Sequence, residues 1–92
     1  MGKFRYKRSV PLDREHQRRI YLHSRKYHSL PLVQRKRIDA LCRRAGGEYA
    51  EALKEFVTTD RGATEVCGKH FISQSTLVRI VNRYYMEFSE TT

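Results

Sequence analysis

The chain has 92 residues and a formal net charge of +9, with 39% hydrophobic and 32% charged residues. This length fits one small domain with a modest hydrophobic core, and it argues against a large enzyme with a deep cleft. No run approaches about 18 apolar residues, so we expect no transmembrane helix and no association with a membrane. The basic start leads into no apolar segment, so we expect no secretory signal either.

The positive charge is concentrated in the N-terminal half of the chain. Residues 1–44 hold 14 lysines and arginines against three acidic residues, a net charge of +11. Residues 45–92 hold five lysines and arginines against seven acidic residues, a net charge of −2. A basic half on a small protein indicates a polyanionic partner, most often nucleic acid. A solvated charged surface without a partner is the alternative interpretation.

The two cysteines favour an intracellular protein without a metal. Cys42 and Cys67 each lie within an apolar pattern, which is typical of small buried side chains in a reducing compartment. We therefore expect a cytoplasmic protein. Cys67 and His70 have the C-x-x-H spacing of metal ligands, but no second pair of ligands lies near them in the sequence. The sequence predicts no metal and no cofactor.

The hydrophobic spacing predicts an all-α protein, a compact bundle of about five helices, because no stretch alternates with the period of a strand. Residues 1–11 are predicted to be a flexible basic arm, and residues 12–92 a single helical domain. Helices are expected at residues 13–29, 31–45, 48–58, 61–70 and 73–88.

Each predicted helix has an expected inward face. In the first helix this face is formed by His16, Ile20, His23 and Tyr27. In the second it is formed by Gln34, Ile38, Leu41, Cys42 and Ala45. In the third it is formed by Tyr49, Ala52, Leu53, Phe56 and Val57. In the last it is formed by Leu77, Ile80, Val81, Tyr84, Tyr85 and Phe88.

The most informative segment comprises residues 63–82. It has the pattern of a short helix, a break over residues 71–73 and a longer helix with Ser73 as its N-cap. Six apolar positions would pack the two helices at a steep angle: Val66, Cys67, Ile72, Leu77, Ile80 and Val81. This is the pattern of a helix-turn-helix, whose second helix enters the major groove of DNA. We expect this helix-turn-helix to span about residues 61–88.

The segment from Val66 to Asn82, VCGKHFISQSTLVRIVN, resembles the helix-turn-helix of bacterial repressors of the lac type. It matches the pattern V-A-x-x-A-G-V-S-x-x-T-V-x-R-V-V-N without gaps. It is equally similar to the motif of the stage III sporulation DNA-binding regulator and of region 4 of sigma factors, and it covers about a fifth of the chain. Two of its departures from the pattern matter. Phe71 replaces the turn glycine, which tolerates a positive φ, and His70 replaces a small residue.

The resemblance implies a set of DNA-contacting residues. Base contacts fall on Gln74, Ser75, Val78 and Arg79. Arginine fits the two acceptors of guanine, glutamine the edge of adenine, and valine the methyl group of thymine. Phosphate contacts fall on Lys69, Ser73, Thr76, Asn82 and Arg83. The alternative is that Gln74 and Ser75 only suit a first helical turn, and that Arg79 lies on a solvated face.

The motif is nearly neutral, so cations outside it are expected to supply the affinity for phosphates. The arm offers Lys3, Arg5, Lys7 and Arg8, which we expect to follow a minor groove or the backbone beside the major-groove contact. The first two helices offer Arg14, Arg18, Arg19, Arg25, Arg35, Lys36 and Arg37.

The sequence thus predicts a sequence-specific DNA-binding protein, a small transcriptional regulator of bacterial, phage or mobile-element type. Its expected partner is double-stranded DNA, bound by a monomer or a homodimer, and no small-molecule ligand is evident. No set of nucleophile and base has a recognisable spacing, so we expect no enzyme. Two alternatives remain: a basic RNA-binding or ribosome-associated protein, and a protein-interaction accessory factor of a mobile element.

Overall fold

A computed structural model of the chain describes residues 4 and 6–91, with side chains up to residue 90. This part of the chain is all-helical and contains no strand, which confirms the predicted fold class. The helices are α1 (Arg14–Arg25), α2 (Leu32–Gly46), α3 (Ala50–Thr58), α4 (Ala63–His70) and α5 (Gln74–Thr91). Short 3-10 turns, Tyr27–Ser29 and Gly47–Tyr49, precede α2 and α3. None of these helices combines the length and the apolar character needed to cross a membrane.

The helix ends follow local residue chemistry. The Asp13 carboxylate caps α1 by accepting the His16 N–H at 2.7 Å. The chain leaves the α conformation at Lys26, so α1 ends earlier than expected. Gly47 follows α2 with φ 57°, a conformation that glycine adopts without steric cost, and its N–H donates to the Arg43 carbonyl. This confirms that the glycine pair ends α2.

The core lies where α2, α3 and α5 pack together, with α1 and α4 closing its sides. The predicted inward face of α5 is buried along its whole length. The predicted faces of α2 and α3 are buried with three exceptions. Gln34 is exposed, and Tyr49 and Phe56 are half-buried. The Cα radius of gyration is 12.1 Å, close to the value of about 12 Å for a compact domain of this length.

The predicted inward face of the first helix was right for Ile20 and Tyr27, which are buried, and wrong for His16 and His23. Gln17, Ile20 and Ser24 are buried on this helix, whereas the predicted residues His16 and His23 are only half-buried. Gln17 is 0% exposed and Ser24 is 1% exposed. Both are polar, and hydrogen bonds hold them inside the protein. The Ser24 hydroxyl donates to the Ile20 carbonyl at 2.8 Å and lies 2.7 Å from the hydroxyl of Tyr84 on α5.

The N-terminal segment packs on the domain at Phe4, whose ring centre lies 5.5 Å from that of Tyr21, and again from residue 7 onward. Val10 is 1% exposed and belongs to the hydrophobic core. The Gln17 amide accepts the Lys7 N–H at 2.8 Å and donates to the carbonyls of Lys7 and Leu12, each at 3.0 Å. The expectation of a flexible arm over residues 1–11 therefore does not hold for residues 7–10. The buried side chains of Val10 and Gln17 hold these residues on the domain. Lys3 and Arg5 lie outside the described residues.

Both cysteines are free and buried, as expected from their apolar surroundings. Burial raises the pKa of the Cys42 thiol to about 12. This thiol therefore stays protonated at neutral pH and behaves as a small apolar side chain.

Candidate nucleic-acid interface

A tight break separates α4 from α5 at the expected residues. Phe71 adopts the left-handed conformation, with φ 56° and ψ 45°, at the position where the resembled families have glycine. The N–H groups of Phe71 and Ile72 both donate to the Cys67 carbonyl and so close the end of α4. The Ser73 hydroxyl accepts the Thr76 N–H at 3.1 Å, which confirms Ser73 as the cap of α5. The segment is two helices with a defined break, and the helices do not merge into one rod.

The two helices share the core of the domain. Five of the six predicted contact positions are buried, namely Val66, Cys67, Leu77, Ile80 and Val81. The sixth, Ile72, is half-buried and packs against the same cluster. Because α4 and α5 are both anchored in this cluster, the surface between them has a fixed shape.

The outward face of α5 carries the four residues predicted to contact bases. Gln74, Ser75, Val78 and Arg79 are all exposed, and Arg83 follows one turn later. Val78 is 56% exposed, although the opposite side of the same helix is buried in the core. The Gln74 amide donates to the Thr64 hydroxyl of α4 at 3.4 Å, which links the two helices at this end. The structure therefore brings these side chains together on one accessible face.

Two residues predicted to contact phosphates have protein partners instead. The Lys69 ammonium lies 3.0 Å from the Glu55 carboxylate of α3. The Asn82 amide donates to the Ser9 hydroxyl at 2.7 Å. Each can still lie near a phosphate, but its main contact within the domain is structural. Arg83 and Ser73 remain exposed, and Thr76 is half-buried.

Glu55 is the centre of an ion-pair cluster that joins α3 to α4. Its carboxylate lies 3.0 Å from the Lys69 ammonium, 3.1 Å from the His70 ring and 3.4 Å from the Arg61 guanidinium. Hydrogen bonds from Lys69 and His70 lower the pKa of this carboxyl group. The cluster also gives a reason for His70, which replaces a small residue of the resembled motif: its ring is a partner of Glu55.

The N-terminal segment lies beside α5, next to the exposed face. The Asn82–Ser9 hydrogen bond places Ser9 three residues past Arg79 along this helix. The Lys7 ammonium lies 5.3 Å from the centre of the Tyr85 ring, a cation–π distance. Arg8, between these two anchored residues, is exposed. The segment therefore adds cationic groups to the flank of α5.

The two ends of α5 differ in charge. Its first ten residues include Arg79 and Arg83, and its N-terminus is also the positive end of the helix dipole. Its C-terminal half carries Glu87 and Glu90, and Glu87 pairs with Arg44 at 3.3 Å. An anion is therefore attracted to the N-terminal half.

The candidate cations of α1 and α2 lie mostly on the surface. The exposed members are Arg14, Arg18, Arg19, Lys36 and Arg37, and Arg25 and Arg35 are half-buried. Arg19 pairs with Glu15 at 3.5 Å, and the Arg25 guanidinium donates to the Tyr21 hydroxyl at 2.8 Å. These residues extend the basic surface of the N-terminal half, and Arg19 and Arg37 line an open cavity between α1, α2 and Phe88.

Three residues that organise the surface around α5 were not predicted from the sequence: Ser9, Gln17 and Glu55. A signal for Gln17 was present, because residues 17, 20, 24 and 27 have the spacing of one helix face. No signal existed for the other two. The contact between Ser9 and Asn82 joins residues 73 positions apart, and the contacts of Glu55 with Lys69 and His70 span 14 and 15 positions.

Among the described residues, no group of three histidines, cysteines or acidic residues has the geometry to hold a metal ion. Comparison of the chain with protein-family models, curated proteins and solved structures finds no match in any of the three.

Proposed function

We propose that the chain is a sequence-specific DNA-binding protein in which α4 and α5 act as a helix-turn-helix and α5 reads the major groove. The observation that carries this proposal is the outward face of α5. It presents Gln74, Ser75, Val78 and Arg79 to solvent, while the opposite side of the same helix is fixed in the core. A helix held in this way can enter a groove without losing its packing.

The chemistry of the exposed face suits the edges of base pairs. An arginine can donate two hydrogen bonds to guanine, and a glutamine can pair with the donor and acceptor of adenine. Val78 offers an apolar surface for the methyl group of thymine. This face combines three polar side chains with one apolar side chain, which favours readout of a base sequence over attraction to phosphates alone.

Affinity for the DNA backbone would come from cations beside the reading face. Arg83 follows Arg79 on α5, and Arg8 is held close to the same helix through its neighbour Ser9. The basic surface of α1 and α2 would add a general attraction for nucleic acid. On the strength of the motif resemblance, the proposed role is that of a cytoplasmic transcriptional regulator of bacterial, phage or mobile-element type.

The proposal is tested by selecting binding sites from a random pool of duplex DNA. We expect enrichment of a defined sequence, and the symmetry of this sequence reports whether one or two copies bind. Arg79→Ala should relax the preference at one base position and weaken binding there by about 1–3 kcal/mol. The matched control Arg83→Ala should weaken binding to all sequences similarly and reduce the salt dependence.

The same assay separates the alternatives. Preference for structured RNA over duplex DNA, with no effect of Arg79→Ala, would instead support an RNA-binding protein. Failure to retain any nucleic acid at about 50 mM salt would support a protein-interaction module, because a protein that binds phosphates should hold them at this ionic strength.

A further inference from the structure

The break between α4 and α5 contains an aromatic residue in a conformation that suits glycine. Phe71 is the only non-glycine residue with a positive φ in the part of the chain that the structure describes. The left-handed conformation brings the Cβ of an L-residue close to its own backbone, so glycine or asparagine adopts it at lower cost. The phenylalanine is therefore unfavourable for the backbone at this position.

The ring does not compensate for this cost by packing. Phe71 is 94% exposed, the highest value among the large apolar residues on the described surface. The neighbouring Ile72 supplies the side chain that packs against the core. The backbone N–H of Phe71 closes α4 through the Cys67 carbonyl, a bond that any residue other than proline can make. Folding therefore gives no reason for a phenyl ring here.

The Phe71 ring lies at the N-terminal end of α5, the helix proposed to meet DNA. Phe71 lies two residues before Ser73, the cap of α5, and Gln74 and Ser75 come next. This is the positively charged end of the helix, to which a polyanion is attracted. Val78, the other strongly exposed apolar side chain of this region, follows on the outward face of the same helix.

We propose that the Phe71 ring packs against the apolar surface of a nucleotide at the edge of the major groove. This inference rests on the proposed DNA binding and adds a contact to it. Polar base edges and phosphates have partners in Gln74, Ser75 and the nearby arginines, whereas a phenyl ring needs an apolar partner. As long as its bases stay stacked, duplex DNA offers two such surfaces at the groove edge, the methyl group of thymine and the deoxyribose ring.

The experiment compares Phe71→Asn with the wild type and with the matched control Phe71→Tyr. Asparagine accepts the left-handed conformation, so we expect its melting temperature to rise by about 4 °C. The loss of the ring should raise the Kd for the selected duplex about fivefold or more. Phe71→Tyr keeps the ring and should stay within about twofold of the wild-type Kd. A rise in stability together with a loss of affinity cannot result from damage to the fold.

Duplexes with single thymine-to-uracil changes distinguish the two apolar surfaces. If the ring meets a methyl group, one uracil position weakens the wild type and leaves Phe71→Asn unaffected. If it meets a sugar, Phe71→Asn loses the same affinity on every duplex. An unchanged Kd for Phe71→Asn, or a loss of affinity accompanied by a lower melting temperature, overturns this inference alone. Absence of duplex binding by the wild type overturns the proposed function with it.

Discussion

The Asn82 amide on α5 donates a 2.7 Å hydrogen bond to the hydroxyl of Ser9, a residue 73 positions earlier in the chain. Val10, the next residue, is buried in the core, and Gln17 holds the backbone of Lys7. The N-terminal segment and the outward flank of α5 therefore form one continuous surface. If α5 meets DNA, this segment lies next to the same duplex.

The first prediction concerns the charges of the N-terminal segment. We expect the triple change Lys3→Gln, Arg5→Gln and Arg8→Gln to flatten the dependence of DNA affinity on salt. The slope of log K against log salt should become shallower by about 0.9 for each cation that contacts a phosphate. The measurement is a titration of a labelled duplex between about 50 and 200 mM salt.

A second variant separates the charge of this segment from its attachment. Asn82→Ala removes the bond to Ser9 and leaves every charge in place. Asn82→Ala should weaken DNA binding, because the cations of the N-terminal segment then lose conformational freedom when DNA binds. The slope of log K against log salt should stay mostly unchanged. An unchanged slope in the triple variant would show that these cations do not touch DNA.

The second prediction concerns the buried amide that anchors the segment. Gln17→Leu should lower the free energy of unfolding by about 2 kcal/mol, because the Lys7 N–H and the carbonyls of Lys7 and Leu12 lose their partner. Urea denaturation measures the loss, and hydrogen exchange at the Lys7 amide should accelerate. The matched control Gln34→Leu alters an exposed glutamine of α2 and should stay within about 0.5 kcal/mol. Equal stability of the two variants would contradict the anchoring role.

The same residue shows the limit of prediction from the sequence. The all-helical fold, the glycine pair after α2 and the capped break before α5 followed from local signals, because capping and hydrophobic spacing involve neighbouring residues. The inward face of α1 did not follow completely from such local signals. Its polar members are buried through hydrogen bonds outside the helix, Gln17 to the backbone of the N-terminal segment and Ser24 to Tyr84 of α5, so apolar spacing placed the half-buried His16 and His23 there instead.

Part of the candidate interface could likewise be predicted from the sequence, and part could not. The outward direction of Gln74 and Arg79 could be predicted, because the positions between them that face the core are fixed by the apolar pattern of α5. The partners of Lys69 and Asn82 could not be predicted, since Glu55 and Ser9 approach them only after the helices have packed. Long-range polar contacts leave no periodic trace in the sequence.

The third prediction concerns the buried pair of hydroxyl groups between α1 and α5. Ser24→Ala should destabilise the protein by about 1–3 kcal/mol, because the buried Tyr84 hydroxyl is left without its serine partner. Tyr84→Phe should cost about 1 kcal/mol, because the Ser24 hydroxyl keeps the Ile20 carbonyl as its acceptor. The double variant should cost less than the sum of the two. Strict additivity in chemical denaturation would mean that the two hydroxyls do not interact.

The last prediction concerns the Glu55 cluster and its dependence on pH. Glu55→Gln removes the charge that faces Lys69, His70 and Arg61, and it should cost about 1 kcal/mol at neutral pH and low salt. Hydrogen bonds from Lys69 and His70 lower the pKa of this carboxyl group in the folded protein. A lowered pKa means that the stabilisation is fully present above the ordinary glutamate pKa of about 4.3 and is lost as the pH falls through the folded value.

The wild type and Glu55→Gln should therefore differ in stability at pH 7 and converge in acid, as measured by urea denaturation across this range. Added salt should reduce the difference at pH 7, because the cluster is only partly shielded from solvent. The matched control Glu51→Gln changes an exposed carboxylate of the same helix and should show neither effect. A difference between wild type and Glu55→Gln that stays constant as the pH falls far below the ordinary glutamate pKa of about 4.3 would assign it to packing around residue 55, since the carboxyl group gains its proton as the pH falls through its lowered pKa.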